Sequence, residues 1–348
     1  MIRFNTIMAK ITIQDVAQKA GVSVATIDRV LNHRPGVKTR TVEKVESAIR
    51  ELNYQPDRIA ARLARGREYR FWFVLPDTTG EFMTYISDEV EAAAKRMSGE
   101  RVAIMVKRVD VFDGPLLAKV LDELEDGIDG VAVVALDHPA VREAINVLMA
   151  KGVSVVTLVS DVPGSKRTHY AGIDNSSAGR TAAGLMGRFL NGRKGKVGLF
   201  AGSLALRDHI ERQFGFEQVM AHEFPDLLVL PVRESRDDMG RSGELSKQLL
   251  REHPDLLGIY NVGGGTAGIT AALEVGGRAK HIVFIAHEVT EGSRRALIRG
   301  TIDVIINQDP GHEVRSAVRV LMARADNAPW IEAQERIRID IFMRDNLP

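Results

Sequence analysis

The sequence predicts a two-part fold: a small all-α head, then an α/β body built as two doubly wound parallel-sheet lobes. Three observations carry this. Residues 1–70 hold 14 Lys/Arg against 7 Asp/Glu, a net +7, while the remainder holds 33 against 39, a net −6, in a chain whose total is +1. Apolar residues recur at helical spacing through residues 12–52, and after Arg70 short apolar runs alternate with amphipathic helical stretches. At 348 residues the chain has room for two or three compact units.

In the head, "TIQDVAQKAG" sets Thr12 and Asp15 at capping-box spacing, continues through Val16, Ala17 and Ala20, and stops at Gly21. Ser23 caps a second helix whose Ile27, Val30 and Leu31 share a face. A third helix over roughly 40–52 turns Val42, Val45, Ile49 and Leu52 inward. Three short helices, the first two joined by a tight glycine turn, make a helix-turn-helix unit. The outer face of its second helix carries Val24, Ala25, Asp28 and Arg29, and this motif lays that face in the major groove. A basic head on a mildly acidic body agrees. Asp28 stands out, because it offers a negative charge to a polyanion. Two readings stay open: it steers a neighbouring basic side chain near the positive helix N-terminus, or it accepts a hydrogen bond from cytosine N4.

In the body, strands are expected from about residues 71, 102, 131, 154, 196, 227, 257, 282 and 302, with helical stretches such as "ISDEVEAAAKRM" between them. "RIRIDIF" reads as a closing strand with no heptad segment after it, so no C-terminal coiled-coil tetramer is expected. About 280 residues suffice for two parallel sheets. Ligands of such sheets sit at the carboxyl ends of the strands. Those ends are polar here: Asp77, Asp137, Asp161, Asp174, Asn175, Asn261, His287, Glu288, Gln308 and Asp309. Loop-facing strand ends are polar anyway, which accounts for about half of them.

Several classes are disfavoured. No run approaches the ~18 apolar residues of a membrane span, and "MIRFNTIMAKITIQ" lacks a secretory signal pattern. Zero cysteines removes disulfides and thiolate chemistry and suits a reducing compartment, so a cytoplasmic, nucleoid-associated location is expected. "HEVTE" is not H-E-x-x-H, His287 and His312 make no metal motif, and "AGSLA" lacks the nucleophile elbow around Ser203. No catalytic residues, cofactor or metal are therefore expected. The rival is an NAD(P)-binding oxidoreductase: Gly263, Gly265 and Gly268 fit G-x-G-x-x-G, with Glu288 twenty residues beyond. Against it, that fingerprint normally opens its domain, and this one lies deep in the chain.

"ITIQDVAQKAGVSVATIDRVLN", followed by "ELNYQPDRIAARLARG", resembles the head of the LacI-type (lactose-repressor, galactose-repressor) family of bacterial regulators over about 55 residues. The resemblance implies a DNA-binding domain at 8–55 and a hinge at 56–69. Val24, Ala25 and Arg29 would read the operator, within a DNA-binding set that also holds Thr12, Ser23, Thr26, Asp28 and Asn32. In the hinge, Pro56 suits a helix start, Arg58 would meet phosphate, and Leu63 would wedge into the minor groove beside Ala60. Relatives typically carry a small hydroxyl residue at the position of Asp28.

The body, through "VTLVSDVPGS", "GIDNSSAGR" and "VIINQDP", is similar to the core this family shares with periplasmic sugar-binding proteins of type I. That likeness implies an effector domain at 70–348, with an N-lobe of about 70–174 and 309–337 and a C-lobe of about 175–308 and 338–348. Matching positions make Phe82 an apolar or stacking contact, Arg212 a donor, Glu288 a partner for paired hydroxyls and Gln308 a lobe-crossing contact. Asn261 is ambiguous by one position, because "YNVGGGTAG" departs from the Asn-Asp-x-x-Ala pattern; Asp137 and Asp161 enter by position alone. The implied protein is a homodimeric repressor on an inverted-repeat operator, controlled by a sugar or polyol, with release or promotion of DNA binding both open.

Overall fold

The computed structural model describes residues 11–31, 34–54, 68–77 and 80–348. It divides into two compact units, 1–67 and 68–348. Asn32 and the hinge residues Pro56, Arg58, Ala60 and Leu63 lie outside the described residues.

The first unit holds α1 (Ile13–Ala20), α2 (Val24–Leu31) and α3 (Thr39–Glu51). The capping box forms as its spacing requires: the Thr12 hydroxyl accepts the Asp15 amide, and the Asp15 carboxylate accepts the Thr12 amide at 2.7 Å. Gly21 ends α1 at φ 65, a left-handed conformation that a β-carbon would strain, while the Val22 amide reaches back to the Ala17 carbonyl. Val16, Ile27 and Val45 are fully buried where the three helices meet, with Ala17, Val30 and Ala48 around them. Val42, Ile49 and Leu52 pack half-buried at the edge of that core.

The second unit holds two sheets. The first orders its strands β2-β1-β3-β4-β5, all parallel: β1 (Tyr69–Pro76), β2 (Val102–Val109), β3 (Gly130–Val133), β4 (Ser154–Leu158) and β5 (His169–Ala171). Its crossovers include α4 (Glu81–Ser98), α5 (Gly114–Asp122) and α6 (Pro139–Ala150). The second orders β12-β11-β10-β9-β6-β7, from β6 (Gly195–Ala201), β7 (Leu227–Val229), β8 (Arg233–Glu234, paired with β6), β9 (Leu256–Asn261), β10 (Val283–His287), β11 (Val304–Asn307) and β12 (Asp340–Phe342). Only β12 pairs antiparallel there. The helices α7 (Asn175–Leu190), α8 (Arg207–Glu223), α9 (Met239–Glu252), α10 (Thr266–Val275) and α11 (Glu291–Arg299) belong to this lobe. α12 (Pro310–Ala325) returns to pack on β4, β5 and α4 of the first lobe.

Three details differ from the sequence reading. β5 was not anticipated, because three residues are too few to show a period. The run from 227 breaks into β7 and β8, with Pro231 between them, which lacks the amide a continuous strand would need. "RIRIDIF" contributes only its last three residues to a strand.

One packing event positions the cleft. A β-carbon on Gly179 of α7 would collide with the Arg212 carbonyl, and one on Gly215 of α8 with the Ser176 carbonyl. The two helices therefore touch backbone to backbone, which sets the Arg212 side chain beside Asn175.

Candidate functional site

On the head, α2 buries Ile27 and Val30 and presents Val24, Ala25 and Arg29 to solvent. The Ser23 hydroxyl caps the helix by accepting the Thr26 amide at 3.2 Å. Thr12 is exposed, with its side chain engaged in the capping box. Asp28, half-buried, pairs with Arg34 at 3.3 Å, and the Arg34 amide donates to the Arg29 carbonyl at 2.8 Å. The acid thus organises the basic turn that follows the helix.

In the body, the ends of β1, β3, β4, β9, β10 and β11 enclose a cleft of about 550 Å³ between the lobes. Its two walls differ in chemistry. The first lobe contributes mostly apolar groups: Pro76, Phe82, Met83, Val111, Phe112, Val134 and Val159. The second contributes Asp208, His209, Arg212, the 236–240 and 263–267 loops, His287 and Glu288, and Gln308 stands where the chain crosses back.

Arg212 is the centre of the polar wall, 2% exposed. Its Nε donates to Asn175 Oδ1 at 2.8 Å and its Nη1 to the Val262 carbonyl at 2.7 Å. Its Nη2, together with Ser160 Oγ, Asp208 Oδ1, His287 Nδ1 and Gln308 Oε1, is buried with no hydrogen-bond partner among the described residues. Buried polar atoms are nearly always paired, and these five, both donors and acceptors, gather around one cleft. Ser160 is aimed there by a strained turn: Val159 sits at φ 63, and the Ser160 amide closes on the Leu158 carbonyl at 2.6 Å.

Glu288 is also left-handed, at φ 67, and its carboxylate accepts the Gln308 side-chain amide at 2.9 Å. Burial lifts its carboxyl to about 7, against the opposing pull of Arg212 and the Gln308 hydrogen bonds. Burial, and then Arg212, hold the neighbouring His287 well below the usual imidazole range, so that ring is neutral. It meets the Tyr260 hydroxyl at 2.9 Å. Behind the cleft, Glu313 is fully buried, and burial followed by Glu288 pushes its carboxyl well up.

The raised Glu288 has a testable sign. Between about pH 4.5 and 7 the folded protein keeps a proton that the unfolded chain releases, so this group lowers stability as pH rises through that window. Glu288→Gln should gain stability relative to the wild type between pH 4.5 and 8, by up to about 3 kcal/mol. Thermal unfolding at both pH values checks it, and a pH-independent difference would contradict it.

Four of the seven expected effector residues line the cleft: Phe82, Arg212, Glu288 and Gln308. Three do not. Asp137 pairs with Arg142 at 2.7 Å, and Asp161 pairs with Arg167 and accepts the Thr157 hydroxyl at 2.6 Å. Both acids neutralise arginines on their own lobe. Asn261 turns its side-chain amide to the Gly263 and Gly264 carbonyls and the Thr266 hydroxyl, tying the glycine loop. Within the polar ring, Asp174 and Asp309 cap α7 and α12. The sequence reading missed Asp208 and Ser160. The first lies on a charged-looking helical stretch four residues before Arg212, and that spacing was the available signal.

The glycine run has its own explanation. A β-carbon at Gly263 would strike Asp237 and His209, at Gly264 Asp237, and at Gly265 Ser242; at Gly268 it would enter the α9 backbone. The Gly264 amide donates to the Asp237 carboxylate at 2.6 Å, so an acid occupies the donor a phosphate would use. Close packing accounts for these glycines. Among the described residues no three His, Asp or Glu side chains are grouped to hold a metal, and no helix is long and apolar enough to cross a membrane.

Residues 71–329 match the family model of the periplasmic binding protein domain, and residues 12–57 that of bacterial regulatory proteins of the lacI family. The transcriptional regulator pepR1 of Lactobacillus delbrueckii subsp. lactis is 27% identical over 192 residues, 55% of each chain. The lactose operon repressor of Escherichia coli K12 is 35% identical over 104 residues, 30% of this chain and 29% of that protein. The chain thus spans about half or less of these curated relatives. A solute-binding protein from Burkholderia graminis, solved in complex with D-arabinose, superposes with a TM-score of 0.72 at 25% identity, covering 80% of this chain and 96% of that one.

Proposed function

This chain belongs to the lacI family of bacterial regulators, a helix-turn-helix head joined to a periplasmic binding protein domain, and from that premise we propose that it is a sequence-specific repressor controlled by a small neutral sugar or polyol. The observation that supports this most is the two-faced cleft. A sugar ring has an apolar C–H face and a rim of hydroxyls, each both donor and acceptor. The first wall suits the former, with Phe82 available for stacking, and the unpaired atoms of Ser160, Asp208, Arg212, His287 and Gln308 suit the latter. Charge favours a neutral ligand: Glu81, Asp208, Asp237 and Asp238 line the cleft against Arg212 and Arg236, beside a Glu288 whose carboxyl burial lifts to about 7.

A thermal-shift screen of aldoses, polyols and sugar acids, with hits retested for operator release, tests the reading. A neutral sugar at a hundredfold excess over its Kd should add ~2.7 kcal/mol to stability. Stabilisation by sugar acids alone, or by nucleotides alone, would contradict it.

In this reading the protein works in the cytoplasm as a homodimer, so that two heads meet the two halves of an inverted repeat. Phe82, Arg212, Glu288 and Gln308, joined by Asp208 and Ser160, hold the effector, and Val24, Ala25 and Arg29 read bases. Asp28 acts by orienting Arg34. Asp28→Ser should therefore tighten binding to all sequences alike, by roughly two- to fivefold, since it removes one charge repelled by phosphate. Relaxed discrimination at one operator position per half-site would instead make Asp28 a base-reading residue.

A further inference from the structure

Arg236 and Asp237 are consecutive non-glycine residues in the left-handed region, at φ 56 and 57. Such backbone persists only where its surroundings impose it. Here the imposition is visible. The Arg236 amide donates to the Gly202 carbonyl at 2.7 Å, and the Asp237 carboxylate is seated in the glycine loop on the Gly264 amide. The strained pair aims the Arg236 side chain out of its own lobe. Its guanidinium lies 5.2 Å from the centre of the Phe112 ring and 3.8 Å from Asp110, both on the opposite lobe. Asp110 is itself fixed, because its other carboxylate oxygen accepts the Phe112 amide at 2.9 Å.

We propose that Arg236 is a positioning residue of the effector cleft, a clasp that holds the two lobes in closed register along the rim where β2 and β8 end. The inference rests on the cleft being the effector site, but the contact itself needs neither ligand nor DNA. Asp237 is the anchor, Arg236 the arm, and Phe112 with Asp110 the catch. An exposed ion pair and a cation–π contact are each weak, which suits a clasp that must open and close. It also gives the glycines at 263 and 264 a purpose, since they make room for the anchor.

The chain has no cysteine, so spin labels can be placed cleanly. Asp122→Cys on α5 and Arg251→Cys on α9, both exposed, sit on the helices that follow the two halves of the clasp. Interlobe distances would be measured by pulsed electron resonance on the effector-free full chain, diluted with unlabelled protein and checked for folding by circular dichroism. Arg236→Met should raise the open population roughly five- to tenfold, as loss of two such contacts allows. Arg236→Lys, which keeps the charge and loses the stack, and Asp110→Asn should each fall between. Asp110→Asn should add nothing on top of Arg236→Met. Superimposable distributions for wild type and Arg236→Met, or a full additional effect of Asp110→Asn in that background, would overturn the clasp and leave the sugar-repressor reading untouched. Failure of the sugar screen would leave the clasp result standing.

Discussion

Replacing Arg212 by methionine is expected to give a protein that still binds operator but no longer responds to any effector. The side chain holds Asn175 and the Val262 carbonyl with two of its nitrogens and presents the third to the cleft. Its positive charge also stands beside Asp208 and Glu288. Removing one partner of a buried charged cluster costs on the order of 3–5 kcal/mol, so the melting temperature should fall. Affinity for the best stabilising sugar should fall further, roughly 10²- to 10³-fold, because charged hydrogen bonds and cleft geometry are lost together. Arg212→Lys separates the two effects. It keeps the charge but cannot reach both Asn175 and Val262 from one head group, so it should recover part of the stability and little of the affinity. Effector-dependent release within threefold of wild type in Arg212→Met would contradict the role given to this residue.

The second large effect is expected at a residue that does not itself line the cleft. Gly179→Val places a branched side chain where α7 meets the α8 backbone at the Arg212 carbonyl. The helices must separate, and overpacking against backbone, unlike overpacking against a flexible side chain, has no cheap relief. The variant should lose more than about 3 kcal/mol, equivalent to roughly 5 °C for a unit of this size. Surviving protein should bind sugar poorly, because α8 carries both Asp208 and Arg212. Calorimetric unfolding checks the first statement. A loss below 1 kcal/mol would mean that the helix pair is not the rigid platform of the cleft.

Local chemistry was legible in the sequence, and long-range compensation was not. The head could be read because its signals are short: Thr12 with Asp15, then Gly21, then Ser23, all within a dozen residues. The alternation of strands and helices was equally plain, since parallel strands buried on both faces read as apolar runs. Phe82 and Arg212, which lie on helices, were expected from family likeness alone, Glu288 and Gln308 also from the rule about strand ends, and all four line the cleft. Asp137 and Asp161 satisfy the same rule and do not line the cleft, because Arg142 and Arg167 fold back on them. A strand-end acid is a ligand candidate only when nothing nearby neutralises it, and pairing of that kind is a three-dimensional fact. The glycine run misled for a related reason. Its spacing matched a phosphate-binding loop, yet the space those glycines leave is filled by Asp237, 26 residues earlier in the chain. Asp208 was missed from the opposite side, as a buried acid in a stretch whose composition suggests a solvated helix.

In the proposed repressor, one ligand in the cleft and one DNA site at the head share a free energy. Linkage makes this reciprocal: if a sugar changes operator affinity by some factor, operator must change sugar affinity by the same factor. The direct test is calorimetric titration of the best stabilising sugar into the full chain, alone and saturated with its operator duplex. Sugar affinities should differ by roughly 5- to 150-fold, weaker on DNA for a repressor released by its effector. Equal affinities in the two titrations would contradict it.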